Sequence, residues 1–533
     1  MSAGQPKKSS SFEELDHSLE KKSNDTADVQ SVGHKIISSK DADATFRFME
    51  ENDPEVPEIT PEEEKKLSLK TTVITLILGC TTDLLLYSDK ATLSYASIFE
   101  LWEDTGLNQT RYNNSNTLFY VGYIIGQINL ILVEKLPVGR LLTGIIFLWS
   151  AIIFLHCTAY NYQGIYALRF FLGFLESVVV PILNITLAQF MTAKEKAATA
   201  PIFYSTCLGV TIPVGFIAYG ILHANVSIPI WKLFMIIIGS CTFAWGVVVF
   251  FVYPDNPTNA KFLSTKEKVW VIRRVQRSTK SSIEQKVFKR YQAIEALKDP
   301  VSWLFGLFFL LQQLANNLPY QQNLLFEGIG NINNLDTTLV SAASGGFAAI
   351  CAFVATGLLY FKSDITAFSV VFWTAPCFAA SIAVVALPWN DKIALLAMLC
   401  LASPLFGIPW ILMFSWNTTT CSGYTKKLVR NAIVMVCYSV SNLISPQLWQ
   451  ESDGPRYVPA WIVQIVLSFF TAPMIALVIY FILRKRNIKR RAALDEKSSY
   501  SVGFVEEDGV KRAVNKAALD LTDLENEEFI YPL

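Results

Sequence analysis

Read from the N-terminus, the chain is polar for 66 residues and then turns apolar in blocks close to 20 residues long. The first six blocks lie at about 71–95, 112–133, 141–159, 165–191, 199–222 and 233–253. A polar stretch over 254–300 follows, and six more blocks lie at about 301–320, 337–361, 366–387, 393–414, 431–448 and 458–483. A helix rises 1.5 Å per residue, so about 20 apolar residues cross the roughly 30 Å hydrocarbon core of a bilayer. The pattern predicts an all-α polytopic membrane protein with twelve transmembrane helices in two six-helix halves. Its predicted parts are a disordered cytoplasmic tail over 1–66, a first bundle over 67–253, a cytoplasmic central loop over 254–300, a second bundle over 301–483 and a cytoplasmic tail over 484–533.

Loop charge sets the expected orientation. The loops at 134–140 (Lys135, Arg140), 192–198 (Lys194, Lys196) and 422–430 (Lys426, Lys427, Arg430), the central loop with its eleven Lys and Arg, and the run RKRNIKRR at 484–491 all fall on one side. The other side carries isolated cations, Arg111, Lys232, Lys392 and Arg456. Positive charge stays in the cytosol, so both termini are expected inside. Three glycosylation sequons then lie outside, at Asn108, Asn113 and Asn225. In the central loop, Ser264 and Glu267 form a capping box for an amphipathic helix, whose cations are expected either to face anionic headgroups or to lie on a solvated surface.

Composition narrows the chemistry. Charged residues make up 17% of the chain, against about 25% in soluble domains. Forty-five basic residues balance 45 acidic ones, so no net field recruits nucleic acid. The nine cysteines sit mostly in apolar stretches without CxxC spacing, which argues against a disulfide framework or metal site. Four histidines, two in the tail and two near segment ends, build no catalytic constellation, and no P-loop is present. The expectation is a non-enzyme with no catalytic residue, metal or cofactor, in contact with a lipid bilayer, acting as a monomer.

Ionisable groups inside a bilayer cost roughly 2.5–3.5 kcal/mol on insertion scales and point to function. Arg169 and Glu176 stand seven apart in RFFLGFLESVVVP, on one helical face. Asp83, Tyr87 and Lys90 share a face of the first segment, with Asp89 beside them. The seventh segment, LLQQLANNLPYQQNLL, places Gln312, Asn316 and Tyr320 on one face, and Pro319 is expected to break the helix before Tyr320. Broken helices facing a cavity are how transporters expose backbone groups. Gly209, Gly215 and Gly220 are expected to permit close helix contact.

Six plus six segments around a long loop resemble the major facilitator superfamily. The loop string EKLPVGR resembles a degenerate form of that superfamily's gating motif, through Glu134, Lys135, Gly139 and Arg140. The fourth-segment string resembles the RxxxGxxE…P motif of its anion:cation symporter branch, and Asp89, Lys90, Leu93 and Ala96 match that branch's first-helix pattern. VYPDNPTNAKFLSTKEK, SGYTKKLVRNA, SNLISPQLW and PRYVPA are similar to the fungal allantoate permease-like family. SDKATLSYASI, LFGLFFLLQQLANNLPYQQNLLFEG and PAWIVQIVLSF are similar to cysteine transporters within it.

The resemblance implies a proton-coupled symporter that imports a small carboxylate-bearing solute. That solute is cysteine, or another organic anion such as allantoate, nicotinate or a vitamin carboxylate. Arg169, with Lys90, would bind the carboxylate. Asp83 or Asp89 would hold an ammonium or a proton, and Glu176 would carry the proton. Tyr87, Gln312, Asn316, Tyr320 and Asn442 would supply further contacts. The expected location is the plasma membrane, with the endoplasmic reticulum and vacuole as alternatives. A non-transporting nutrient sensor is the alternative from another class.

Overall fold

The computed structural model describes residues 48, 52, 56–224, 226–279, 289–330, 334–361, 363–496, 502–507, 510–515, 522–526 and 529–533. Residues Val56–Leu533 form one compact unit. The disorder expected over 1–66 falls outside the described residues for most of its length, and over 61–66 it is corrected. Thr60 caps a helix there, its hydroxyl accepting from the Glu63 amide (3.4 Å) and the Glu63 carboxylate accepting from the Thr60 amide (3.2 Å). Pro61 occupies the first turn with three glutamates. Proline and acidic side chains both suit a helix N-terminus, where free N–H groups carry partial positive charge. The acidic block is therefore the start of the first helix.

Ten helices among the described residues are long and apolar enough to cross a membrane. They are α1 (Pro61–Ala96), α3 (Val138–His156), α4 (Tyr162–Phe190), α5 (Lys194–Leu222), α6 (Ile230–Val252), α11 (Leu335–Leu358), α12 (Thr366–Ala386), α13 (Lys392–Thr419), α14 (Thr425–Leu448) and α15 (Val458–Ala492). The other two predicted segments are interrupted. One is α2 (Gln109–Gly126), followed by a 3₁₀ turn and a short helix, Leu130–Lys135. The other is α9 (Pro300–Gln312), a 3₁₀ turn over Gln313–Ala315, and α10 (Leu318–Gly330). Pro319 lies in the first turn of α10 rather than at the break, a position where its missing N–H costs nothing. Two strands, β1 (Val502–Glu507) and β2 (Val510–Asn515), pair antiparallel near the C-terminus.

Within the first half, α2 crosses α4 without intervening side chains. A Cβ on Gly122 would collide with the Phe170 carbonyl, and one on Gly173 with the Phe119 carbonyl. Small residues allow such backbone approach where apolar lipid offers no hydrophobic drive. Gly209 and Gly215 play the expected part between α5 and α11, with Ala349 and Ala342 at 3.1 and 3.0 Å from a built Cβ. Gly220 has nothing within 4 Å, so that expectation fails. The halves meet along α5 against α11, α2 against α14 and α1 against α10.

Two loop helices, α7 (Thr265–Thr279) and α8 (Arg290–Lys298), each engage one half. The Ser264–Glu267 capping box is present, with the Ser264 amide donating to the Glu267 carboxylate (2.8 Å). The cations of α7 do not simply face headgroups. Arg274 is 8% exposed and pairs with Glu195 of α5 at 2.8 Å, while Arg273 donates to the Val56 carbonyl at 3.0 Å. In the second half the sense is reversed: Glu295 of α8 meets Lys426 of α14 at 2.8 Å.

Lys426 and Arg430 were expected in a loop but lie inside α14, at 0% and 1% exposure. The C-terminal residues explain this. Asp523 pairs with Lys426 at 2.8 Å, the Tyr531 hydroxyl donates to Asp523 at 2.8 Å, and Trp416 donates to the Pro532 carbonyl at 2.9 Å. Asp299 caps α9 beside this cluster. Burial opposes its ionisation, yet Arg486 at 2.8 Å, aided by Lys426, holds its carboxyl below the usual carboxylate range.

Candidate functional site

A cavity of about 170 Å³ lies between the halves, space for on the order of ten waters and thus for a small solute. Its walls come from α1, α2, α5, the α9–α10 break, α11, α13 and α14. Lys90 is the single Lys or Arg among the lining residues, and none of them is Asp or Glu.

Lys90 is held by aromatic faces, with its ammonium 4.8 Å from the Tyr87 ring centre and 5.6 Å from that of Phe119. Behind it stands Glu176, whose carboxylate is 3.8 Å away with no exposed side-chain area. Neither Glu176 oxygen has a hydrogen-bond donor among the described residues. Asp89 accepts from Trp149 at 3.0 Å.

Several of the residues expected to contact solute lie at this cavity. Lys90, Tyr87, Asn316 and Tyr320 all line the cavity. Asn316 donates to the Tyr120 hydroxyl (2.8 Å) and to Asn442 (2.5 Å), so Asn442 supports the wall without lining it. Other expected residues stand off the cavity wall. Arg169 is 1% exposed and is not among the lining residues. Asp83, 2% exposed, faces Thr206 at 3.5 Å, and neither it nor Asp89 lines the cavity. Gln312 donates to the Phe406 carbonyl at 2.6 Å, and Gln313 lines the cavity in its stead. The 3₁₀ turn advances about 120° per residue where an α-helix advances about 100°, which shifts the face.

Lining residues missed from the sequence come chiefly from the second half: Asn323, Ser341, Ser344, Ser403 and Tyr438. Hydroxyls and amides within otherwise apolar blocks are the signal that marks them.

On the face away from the central loop, the halves are sealed by polar bonds. Tyr112 donates to the Tyr320 carbonyl (2.8 Å), Gln109 to Gln321 (3.0 Å), Gln321 to Asn113 (2.9 Å) and Gln447 to Thr117 (2.8 Å). Asn113 is 2% exposed, and its amide nitrogen donates to the Trp449 carbonyl. A glycan on that nitrogen has no room, which corrects the Asn113 sequon. Asn108 uses its oxygen to cap α2, 2.9 Å from the Arg111 amide. Asn225 lies outside the described residues. Endoglycosidase treatment is therefore expected to leave mobility unchanged once Asn108 and Asn225 are both replaced by Gln. A residual shift in that double variant would contradict the buried Asn113.

Of the gating motif, the Gly139 amide donates to Asp255 at 2.9 Å, tying the loop to the end of α6, and Arg140 is exposed. The side chains of Glu134 and Lys135 lie outside the described residues.

Comparison with known proteins agrees with this architecture. The high affinity cysteine transporter of Saccharomyces cerevisiae is 54% identical over 519 residues, covering 95% of this chain and 98% of that protein. The allantoate permease of the same yeast is 29% identical over 525 residues, covering 95% and 93%. Its thiamine pathway transporter is 29% identical over 527 residues, covering 95% and 96%. Residues 80–446 match the sequence profile of the Major Facilitator Superfamily. Two helical halves around a small central cavity, a match over more than half the chain and relatives that are transporters rather than enzymes together make this chain a multi-pass membrane transporter of the major facilitator superfamily.

Proposed function

We propose that this transporter is a proton-coupled importer of cysteine at the plasma membrane, oriented with both termini in the cytosol. The observation that carries the reading is the Lys90–Glu176 pair, with its cation in the cavity and its anion buried behind. The likeness to a cysteine transporter supports cysteine as the solute.

The chemistry follows from charge. A solute carboxylate entering the cavity meets one cation, Lys90. Competition for that ammonium loosens its hold on Glu176. Glu176 is then left in low dielectric beside Asp89, where a proton is the available compensation. Binding of solute favours binding of a proton, and linkage makes the effect reciprocal. Rocking of the halves around the midplane then carries both across. A zwitterion or monoanion suits a cavity with one cation; a dianion does not.

Glu176→Gln removes the titrating group and keeps the shape. This variant is expected to retain cysteine-for-cysteine exchange in proteoliposomes but to lose accumulation driven by an acidic exterior. Acid-driven accumulation at the wild-type level would place the proton elsewhere, with Asp83 the next carboxylate to examine.

A further inference from the structure

Three serines at the second-half end of the cavity are wired differently from most hydroxyls of the spans. Thr82, Thr356, Thr374 and Ser381 donate to the carbonyl four residues back in their own helices, at 2.7, 2.6, 2.7 and 2.7 Å, the usual arrangement in apolar surroundings. Ser341 of α11 instead donates to the Asn323 side-chain oxygen of α10 at 2.5 Å. Ser403 of α13 donates to the Gln322 side-chain oxygen at 2.7 Å. Ser344 reaches the Cys400 carbonyl of α13 at 3.5 Å. All three serines line the cavity and are 1%, 0% and 3% exposed, in the order Ser341, Ser403, Ser344.

A hydroxyl has one hydrogen and two lone pairs. With each hydrogen committed to a neighbouring helix, each oxygen is left as an acceptor, and donation polarises it further. The Tyr95 hydroxyl beside them is also committed, donating to the Thr211 carbonyl at 3.4 Å. This end of the cavity thus offers three hydroxyl acceptors beside the amides of Gln322 and Asn323, and no lining residue is a carboxylate. A primary ammonium has three N–H donors. We infer that Ser341, Ser344 and Ser403 form an ammonium subsite that selects amino acids over their des-amino analogues, while Lys90 takes the carboxylate. The inference rests on the carboxylate reading above and adds the group that reads the other end of the solute. Neutral acceptors fit a transporter: they hold an ammonium without the deep trap that a buried carboxylate would make, so release stays possible.

The test compares labelled cysteine with labelled 3-mercaptopropionate, which keeps the carboxylate and thiol but lacks the ammonium. Wild type is expected to prefer cysteine by roughly a hundredfold in apparent affinity, the scale of a lost charged hydrogen-bond set. Ser341→Ala and Ser403→Ala are each expected to raise the KM for cysteine roughly tenfold and to leave that for 3-mercaptopropionate unchanged. Ser341→Thr, which keeps the hydroxyl, is expected to restore the preference. A parallel loss for both solutes would make the serines helix ties only and overturn the subsite. Equal competition by 3-mercaptopropionate in wild type would overturn it without any variant, and would leave the carboxylate reading standing. Absence of cysteine uptake by wild type would remove both.

Discussion

Replacing Lys90 by glutamine is expected to lower the apparent affinity for cysteine by roughly one to two orders of magnitude, with surface abundance retained. Glutamine keeps a donor of similar reach but no charge. A hydrogen bond to a charged partner is worth about 1.5–3 kcal/mol, and each 1.4 kcal/mol is a factor of ten. No other cation lines the cavity to take over the carboxylate. The loss has a second part. Glu176, whose side chain has no exposed area, would lose its ion-pair partner at 3.8 Å, and a buried charge without a partner is costly. Lys90→Gln is therefore expected to shift the pH dependence of exchange as well as the KM, since Glu176 would compensate by binding a proton. Lys90→Gln with Glu176→Gln should remove that unpaired charge and its pH dependence while keeping the weakened affinity for cysteine. Arg169→Lys is expected to change the KM less than Lys90→Gln does, because Arg169 is not among the lining residues. Uptake by Lys90→Gln within twofold of wild type, at equal surface abundance, would reject Lys90 as the carboxylate partner.

Gly173→Val is expected to prevent assembly of the first half altogether. The Cβ it adds would overlap the Phe119 carbonyl, which belongs to the backbone of α2 and cannot rotate away. Gly122 makes the reciprocal contact with the Phe170 carbonyl, so the two glycines define one crossing point. Overpacking of flexible side chains costs about 1–3 kcal/mol; here the only relief is to separate two helices along their length. Surplus backbone distance would also move Phe119 away from Lys90, which it covers at 5.6 Å. Fluorescence-detected size exclusion of detergent extracts should show loss of the monodisperse peak for Gly173→Val and Gly122→Val. By contrast, Gly220→Val should behave as wild type, since nothing lies within 4 Å of its built Cβ. A stable, active Gly173→Val protein would show that α2 and α4 do not meet in this way.

The features legible along the chain are those governed by the surrounding solvent. Bilayer thickness fixes segment length, so apolar blocks of about 20 residues announced the helices and their division into two sets of six. The charge penalty of hydrocarbon singled out Asp83, Asp89, Lys90, Arg169 and Glu176 before any contact was known. The family resemblance, carried by strings such as RFFLGFLESVVVP, pointed to transport, and the comparisons agree. Helix ends were less legible. The acidic start of α1 and the basic end of α15 read as tails, because charge outside the bilayer looks the same in a solvated coil and in a helix that projects from the membrane.

Which intramembrane charges line the cavity and which stand behind it was fixed by helix packing. Arg169 and Glu176 share a helix face, yet what each confronts depends on how α4 lies against α1 and α2, a close crossing set by Gly122, Gly126 and Gly173, which have no side-chain signature. Likewise the 3₁₀ break in the seventh segment re-phased its amides and put Gln313, not Gln312, at the cavity. The burial of Lys426 required Asp523, about a hundred residues away, to be brought beside it. Such pairings join residues distant in sequence, and periodicity along one helix holds no information about its neighbours.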